Sequence, residues 1–367
     1  MKVLFYVSGH GFGHATRVIA IMNALVDRDP ATEIYARTRV PQHLFATSLP
    51  ASILRYYGAA LDFGVVEKDI FAQDVYTTLK RYSEINAERD HIISTEVEFI
   101  RREAIDVIVS DIPPLASEVG HQAGVRTIAV SNFSWDFIYE PYVKSYPEFA
   151  YLIEEIRASY EKTNLLLRLP FHHEMTAFPR QEDIPLVVRK RSVEPEGARL
   201  RLGLCPGDPR PVILLALRLD AAPPRAIQEL TETNEFVVLV STPPSGNTGD
   251  NVHVLASQQQ PPGYPGYRDI VAISSLTISK LGYGIVSECI AGQTPLMYIP
   301  RDDFAEYQVL RDGINGLLPS YIMPRDDFLE GRWHDHVKAF LSDQFCWSGC
   351  RVDGAEVAAD IILSHRA

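Results

Sequence analysis

The chain has 367 residues, 46% hydrophobic and 22% charged, which excludes disordered and fibrous classes and implies more than one ordinary core. A formal net charge of −12 argues against nucleic acid or an anionic membrane as the main partner. No run reaches the ~20 apolar residues of a membrane span, no leader-like segment is visible, and Cys205, Cys289, Cys346 and Cys350 are too scattered for a disulfide framework. These features predict a cytoplasmic protein with no transmembrane segment.

The first predicted strand, Val3–Val7, is followed by Ser8-Gly9-His10-Gly11-Phe12-Gly13-His14-Ala15-Thr16-Arg17. Val18, Ile21, Met22, Leu25 and Val26 then recur at the spacing of a helix packed on a sheet. Three glycines permit a sharp turn and close approach of another molecule, and the helix N-terminus offers unpaired N–H groups to an anion. His10 and His14 add imidazoles, the side chains best suited to move a proton near neutral pH. His10 reads either as a phosphate or acceptor contact or as a filler of the turn, and Arg17 either reaches a phosphate or pairs locally. Asp27-Arg28-Asp29 falls at the helix end and reads as a solvated terminus.

Further strands are predicted at Glu33–Ala36, Ile53–Tyr56, Ile105–Val109, Thr127–Val130 and Asn164–Leu167. The fourth of the six in this half runs into Ser110-Asp111-Ile112-Pro113-Pro114, placing a carboxylate at a strand end. Aromatic residues gather at Tyr56, Tyr57, Phe63, Phe71, Tyr76 and Tyr82, and again from Trp135 to Tyr151. They suit either an acceptor groove for sugars and flat or isoprenoid groups, or simple core packing. Five prolines between Pro170 and Gly207 mark a linker. Strands return at Val212–Leu217, Phe236–Val240, Val252–Leu255, Leu276–Ser279 and Leu296–Ile299, the first of them leading into Arg218-Leu219-Asp220. Alternating strands and helices predict an α/β protein of two Rossmann-like, doubly wound parallel-sheet domains, 1–180 and 181–350, facing a central cleft. Residues 351–367 are expected to form a helix packing back on the first domain.

A second strand, glycine turn and helix lies between Leu276 and Gln308. Gly282 and Gly284 would allow close approach of a diphosphate, Lys280 would add charge, and Glu288, one turn into the helix, would accept both hydroxyls of a ribose. A nucleotide fits all three parts.

These blocks resemble the two-domain glycosyltransferases of the GT-B fold. Lys280, Gly282, Tyr283 and Glu288 stand where that family's donor signature has its strand-end His, Gly, aromatic and helical Glu. Gly292-Gln293-Thr294-Pro295 is one residue looser than its Gly-x-Pro turn, and Glu306 and Gln308 replace its acidic and glutamine pair on the sugar hydroxyls. The amino-terminal loop is similar to the Gly-His turn of the inverting plant-type glucosyltransferases and the lipid II GlcNAc transferase. The string GHGFGHATR is also similar to the non-kinase region of L-arabinokinase-like proteins; no Ser-rich kinase phosphate loop follows it. The resemblance implies that His14 is the general base, that Asp111 orients it, and that N–H groups from Gly282 through Gly284 to Ile285 hold the diphosphate.

The activity so implied is inverting glycosyl transfer from a nucleotide-sugar donor to a small-molecule, glycan or lipid hydroxyl, with no cofactor and no metal. The E-x₇-E pair of retaining relatives is absent, since Lys280 and Leu296 stand eight positions from Glu288. Three other readings compete: a nucleotide-sugar epimerase, a non-catalytic nucleotide-sugar-binding protein, and a dinucleotide oxidoreductase. The last is disfavoured because Gly9, Gly11 and Gly13 lack G-x-G-x-x-G spacing, and Arg37 and Arg39 replace the ribose-binding acid.

Overall fold

Apolar runs too short for helices, each followed by a helical period, fold here into two parallel sheets covered by helices. The structure, a computed structural model, describes all residues except 10, 47, 60, 70, 218–231, 242–248, 257–262, 302–303 and 366–367, and only the backbone of Phe12. His10 and Arg218-Leu219-Asp220 thus lie outside the described residues.

The first sheet contains β1 (Lys2–Val7), β2 (Glu33–Thr38), β3 (Leu54–Gly58), β4 (Val107–Asp111), β5 (Arg126–Ser131), β6 (Leu165–Arg168) and β7 (Gln181–Asp183). Their order is β3-β2-β1-β4-β5-β6-β7, with every pairing parallel. The second contains β8 (Val212–Ala216), β9 (Val237–Val240), β10 (Val252–Val254), β11 (Leu276–Lys280), β12 (Leu296–Ile299) and β13 (Ser320–Ile322), in the order β10-β9-β8-β11-β12-β13 and again parallel. Each sheet reverses direction of winding once, between β1 and β4 and between β8 and β11, and ligands of such sheets bind at that point, outside the strand carboxyl ends.

Two strands escape the sequence pattern. β7 and β13 are three-residue edge strands with mostly exposed or half-buried side chains, so neither carries a hydrophobic signature. β7 lies in the proline-rich segment read as a linker, and the first sheet therefore runs on to Asp183. A short helix, Pro195–Arg201, also interrupts that segment.

The first helix, Gly11–Arg28, begins earlier than the apolar spacing suggests and takes in Gly13, His14 and Arg17. Gly11 opens it at φ 71°, a left-handed value that favours glycine. Val18, Ile21, Met22 and Leu25 are fully buried, each contributing about 1.5–3 kcal/mol. Helix Gly354–Ser364 packs against its other side, burying Ala355, Ala358, Ala359 and Ile362. One apolar cluster runs through both domains and this terminal helix. Among the described residues no helix is long and apolar enough to cross a membrane.

Candidate active site

The loops leaving β1, β5, β11 and β12 converge on one cavity of about 210 Å³, lined by Gly13, His14, Arg17, Phe133, Gly282, Tyr283, Gly284, Ile285, Arg301, Phe304 and Glu306. A larger depression of about 760 Å³ lies around Asp106, His121, Lys162 and His365, at the amino-terminal edge of the first sheet. The smaller cavity joins the carboxyl edges of both sheets and gathers the titratable groups, so it is the candidate site.

Its first wall follows from strand register. β1 and β4 pair with Val7 opposite Asp111, so the turn after β1 starts beside the carboxylate, and the Ser8 N–H donates to the Asp111 carbonyl at 2.7 Å. The Asp111–Ile112 peptide is cis. Helical i,i+3 spacing sets His14 and Arg17 on one face. His14 Nδ1 lies 2.8 Å from Asp111 Oδ1. Arg17 donates to both carboxylate oxygens, Nε to Oδ2 at 2.5 Å and Nη2 to Oδ1 at 2.5 Å.

All three side chains are buried. Burial alone would raise the Asp111 carboxyl, but the charges of Arg17 and His14 and their hydrogen bonds hold it below the usual carboxylate range. Phe133 packs edge-on to the imidazole at 5.6 Å. The phosphate role considered for Arg17 thus competes with an ion pair that occupies both oxygens of its partner. Its Nη2 also lies 3.0 Å from His14 Nδ1, so imidazole and guanidinium share one carboxylate.

The network then crosses to the other domain. Arg17 Nη1 donates to Asn132 Oδ1 at 2.8 Å, and Asn132 Nδ2 donates to Glu306 Oε1 at 2.7 Å. Burial raises the Glu306 carboxyl above its ordinary value, against the opposing effects of Asn132 and the nearby Arg17, His14 and Arg301. A third buried acid, Asp62, lies near the loop. Trp135 Nε1 donates to it at 3.0 Å. Burial raises its carboxyl, while bonds from Ser8, Trp135 and the Gly9 backbone and the nearby His14 work in the other direction. Gly9 itself is exposed.

The second wall is helix Tyr283–Gly292, with Gly282 at its N-cap. A Cβ built on Gly284 would lie 3.6 Å from the Gly13 Cα, so the amino-terminal turns of two helices meet across the cavity. Arg17 lies over the Tyr283 ring at 5.5 Å. Two positive helix ends beside Arg301 and Arg17 make the cavity attractive to an anion.

The predicted donor residues divide. Gly282, Tyr283, Gly284, Ile285 and Glu306 line the cavity. Lys280, at the end of β11, donates to Glu67 Oε1 of the first domain at 2.8 Å. Glu288 is buried one turn into its helix, accepting at Oε1 from Arg189 Nε at 2.9 Å, while its Oε2 has no hydrogen-bond partner among the described residues. Burial raises its carboxyl, with the Arg189 pair opposing. Gln308 is exposed and donates to Asp312 at 2.9 Å, which turns it from the cavity.

The aromatic segments serve mainly as core. Tyr82, Trp135, Tyr139 and Tyr142 are buried in one cluster, and Phe71 crosses into the second-domain core against Phe328. Tyr76 is 46% exposed, beside Tyr146 and Phe149.

Asn132, Asp62, Glu67, Arg189 and Arg301 are the site residues that sequence reasoning missed. Asn132 has an available signal, since Ser131-Asn132 places polar side chains at the carboxyl end of β5, beside the strand that supplies Asp111. The others depend on contacts between segments that no local pattern announces.

The comparisons with known proteins agree with this architecture. Residues 1–169 match the family model described as glycosyl transferase family 1. L-arabinokinase of Arabidopsis thaliana is 31% identical over 362 residues, covering 98% of this chain and 34% of that protein. The chain thus spans about a third of this relative's length. The Arabidopsis thaliana UGT89C1 structure superposes with a TM-score of 0.65 at 12% identity, covering 100% of this chain and 99% of that one. The chain has the GT-B glycosyltransferase fold. Glycosyltransferase VinC in complex with dTDP matches with a TM-score of 0.57 at 12% identity over 100% of this chain and 95% of its own. SnogD from Streptomyces nogalater matches at 0.55 and 15% identity, over 100% and 99%.

Proposed function

We propose that this GT-B protein is an inverting glycosyltransferase that moves a sugar from a nucleoside-diphosphate donor to an acceptor hydroxyl. The observation that carries this reading is the His14–Asp111 pair at 2.8 Å, buried in one wall of a cavity whose opposite wall is a helix N-terminus. With Asp111 accepting from Nδ1–H, the basic position of the ring is Nε2. That nitrogen takes the acceptor proton as the hydroxyl oxygen attacks the anomeric carbon, and the carboxylate offsets the charge gained. The bond to the departing diphosphate breaks on the opposite face, so configuration inverts.

The leaving diphosphate is stabilised by the N–H groups of Gly282 to Ile285 and by the helix dipole, donors fixed before reaction. Lys280 adds charge there. The unpartnered Glu288 Oε2 suits a ribose hydroxyl, because a buried acceptor left without a donor costs about 1–3 kcal/mol. Glu306, on the cavity wall beside Asn132, suits a sugar hydroxyl. Two of the similar structures were solved with nucleotides, VinC with dTDP and UGT89C1 with UDP, which supports a nucleoside diphosphate as leaving group. A cytoplasmic location, direct transfer without metal, and acceptor-side and donor-side domains divided near residue 180 belong to the same proposal.

The test is a thermal-shift screen of nucleotides and nucleotide sugars, followed by product analysis with candidate acceptors. Transfer with inversion at the anomeric carbon, abolished in His14→Ala, is the expected result. An epimer formed from donor alone would replace this reading with the epimerase. Nucleotide-sugar binding without turnover under any acceptor would leave a binding protein.

A further inference from the structure

Lys280 and Arg301 leave neighbouring parallel strands: Lys280 ends β11 opposite Ile299, and Arg301 stands two residues past the end of β12. Both cations therefore stand at the carboxyl edge of the second sheet, beside the N-terminus of helix Tyr283–Gly292. Arg301 also lines the cavity that contains His14. Its side chain is only 8% exposed, and its Nε has no hydrogen-bond partner among the described residues. A buried guanidinium with an unused donor, in a cavity built for an anion, is incompletely satisfied.

Two groups of the other domain face the pair: the Gln73 amide oxygen, which accepts from Arg301 Nη2 at 2.5 Å, and a carboxylate shared by both cations. Glu67 Oε1 accepts from Lys280 Nζ at 2.8 Å and from Arg301 Nη2 at 3.4 Å. Glu67 is carried on a short turn bridged by its antiparallel pairing with Gln73. The Asp69 carboxylate closes that turn, accepting from the N–H groups of Phe71 and Ala72. Phe71 then anchors the turn in the second-domain core, between Phe328 and the Arg325 guanidinium. The Phe71 anchor does not involve the Glu67 side chain.

We infer that Arg301, with Lys280, anchors the diphosphate of the donor, and that Glu67 is an intramolecular anion holding this pair until the diphosphate displaces it. The inference rests on the glycosyltransferase reading for the identity of the ligand. One carboxylate faces two cations here, whereas a diphosphate brings more charge and more acceptor oxygens to the same donors. Glu67 would thus lower affinity for every diphosphate ligand equally, whatever its base, and keep the cations apart from weaker anions.

The experiment is calorimetric titration of wild type, Glu67→Gln, Arg301→Gln and the double variant with inorganic pyrophosphate, with UDP, GDP and dTDP, and with the three parent nucleosides. The expected result is about tenfold tighter binding of pyrophosphate and of the bound diphosphate in Glu67→Gln, since one competing ion pair is removed. Arg301→Gln should weaken both at least tenfold with or without Glu67, Arg301→Lys should recover part of the loss, and nucleoside binding should not change. Unchanged or weaker pyrophosphate binding in folded Glu67→Gln would overturn the inference and leave Glu67 as a strap between domains. If the diphosphates bind wild type but Glu67→Gln does not alter them, only this inference fails. If pyrophosphate alone binds and tightens, the anion site stands and the nucleotide-donor reading fails. If nothing binds any variant, both fail.

Discussion

The two halves build the same local object, a strand, a glycine turn and a helix N-terminus, and then partner its charges in opposite ways. In the first domain His14, Arg17, Asp111 and Asn132 are held by one another, all from strands and a helix of one sheet. In the second, Lys280 pairs with Glu67, Glu288 with Arg189 and Glu306 with Asn132, each partner lying in the other domain or in the connecting segment. The difference teaches where preorganisation is needed. Under the proposed function, a proton acceptor gains from a fixed partner, because rigid geometry is set before reaction. On the same proposal, a site that admits and releases a nucleotide gains from partners that can be exchanged.

The comparison is broken most severely if His14 proves to be a shared structural group. His14→Ala should lower kcat by about 10²–10⁴-fold while nucleoside-diphosphate affinity by calorimetry stays near wild type. A matching loss of affinity would mean that the two walls do not divide the work. The next largest effect concerns folding. Asp111→Asn leaves the buried Arg17 without its carboxylate, and breaking such a pair costs about 3–5 kcal/mol. Urea denaturation should show this loss, and Arg17→Met in the same background should recover part of it by removing the unpaired cation.

On the second wall, Glu288→Gln should weaken nucleotide binding about tenfold, the scale of one charge-assisted hydrogen bond, while kcat at saturation changes little. A fall in kcat with unchanged affinity would place Glu288 with the chemistry instead.

The smallest effect, and the sharpest, is the sign of the pH dependence. The Asp111 carboxyl is held low, so its contribution to stability is complete above the unfolded carboxylate value of ~3.9 and is lost as pH falls through the folded value. Glu288 and Glu306 are raised by burial, so their contribution is complete below ~4.3 and is lost as pH rises through their folded values. Melting temperatures across pH 4–8 should therefore decline less on the alkaline side in Glu306→Gln than in wild type. An identical profile would show that Glu306 is ionised in the folded protein.

His173 offers an internal control outside both walls. It stacks on Phe137 with centroids 4.0 Å apart, and burial lowers it to about 4. It should subtract stability as pH falls from 6.5 toward 4, and His173→Gln should remove that slope without touching nucleotide affinity.

Much of the architecture was legible because the signals are local. Buried parallel strands must be apolar on both faces, so eleven of the thirteen strands stand out as short hydrophobic runs. β7 and β13 do not: β7 is Gln-Glu-Asp with no apolar side chain and β13 is Ser-Tyr-Ile, whereas β10, an equally short edge strand, keeps Val252 and Val254. Glycine turns mark both strand-to-helix junctions, and the carboxylate at the end of β4 is visible as Ser110-Asp111 after an apolar run. Gln308 is assigned from a resemblance to a family pattern, and in the folded chain it is exposed and hydrogen-bonded to Asp312. The aromatic segments carried no signal distinguishing groove from core, because both environments bury rings.

The sequence by itself determined two doubly wound units, each with a glycine turn between a strand and a helix and the first of them carrying His14, because strand and helix periodicity and glycine placement act over a few residues. Only the tertiary structure decided that Arg17 spends its charge on Asp111, that Asn132 links this pair to Glu306, and that Glu67 and Arg189 cover Lys280 and Glu288. Those bonds join residues up to 213 positions apart. The Arg17 pairs depend on strand register within one sheet, whereas the Asn132–Glu306 and Glu67–Lys280 bonds depend on how two domains dock, which is set by buried surface spread over the whole chain.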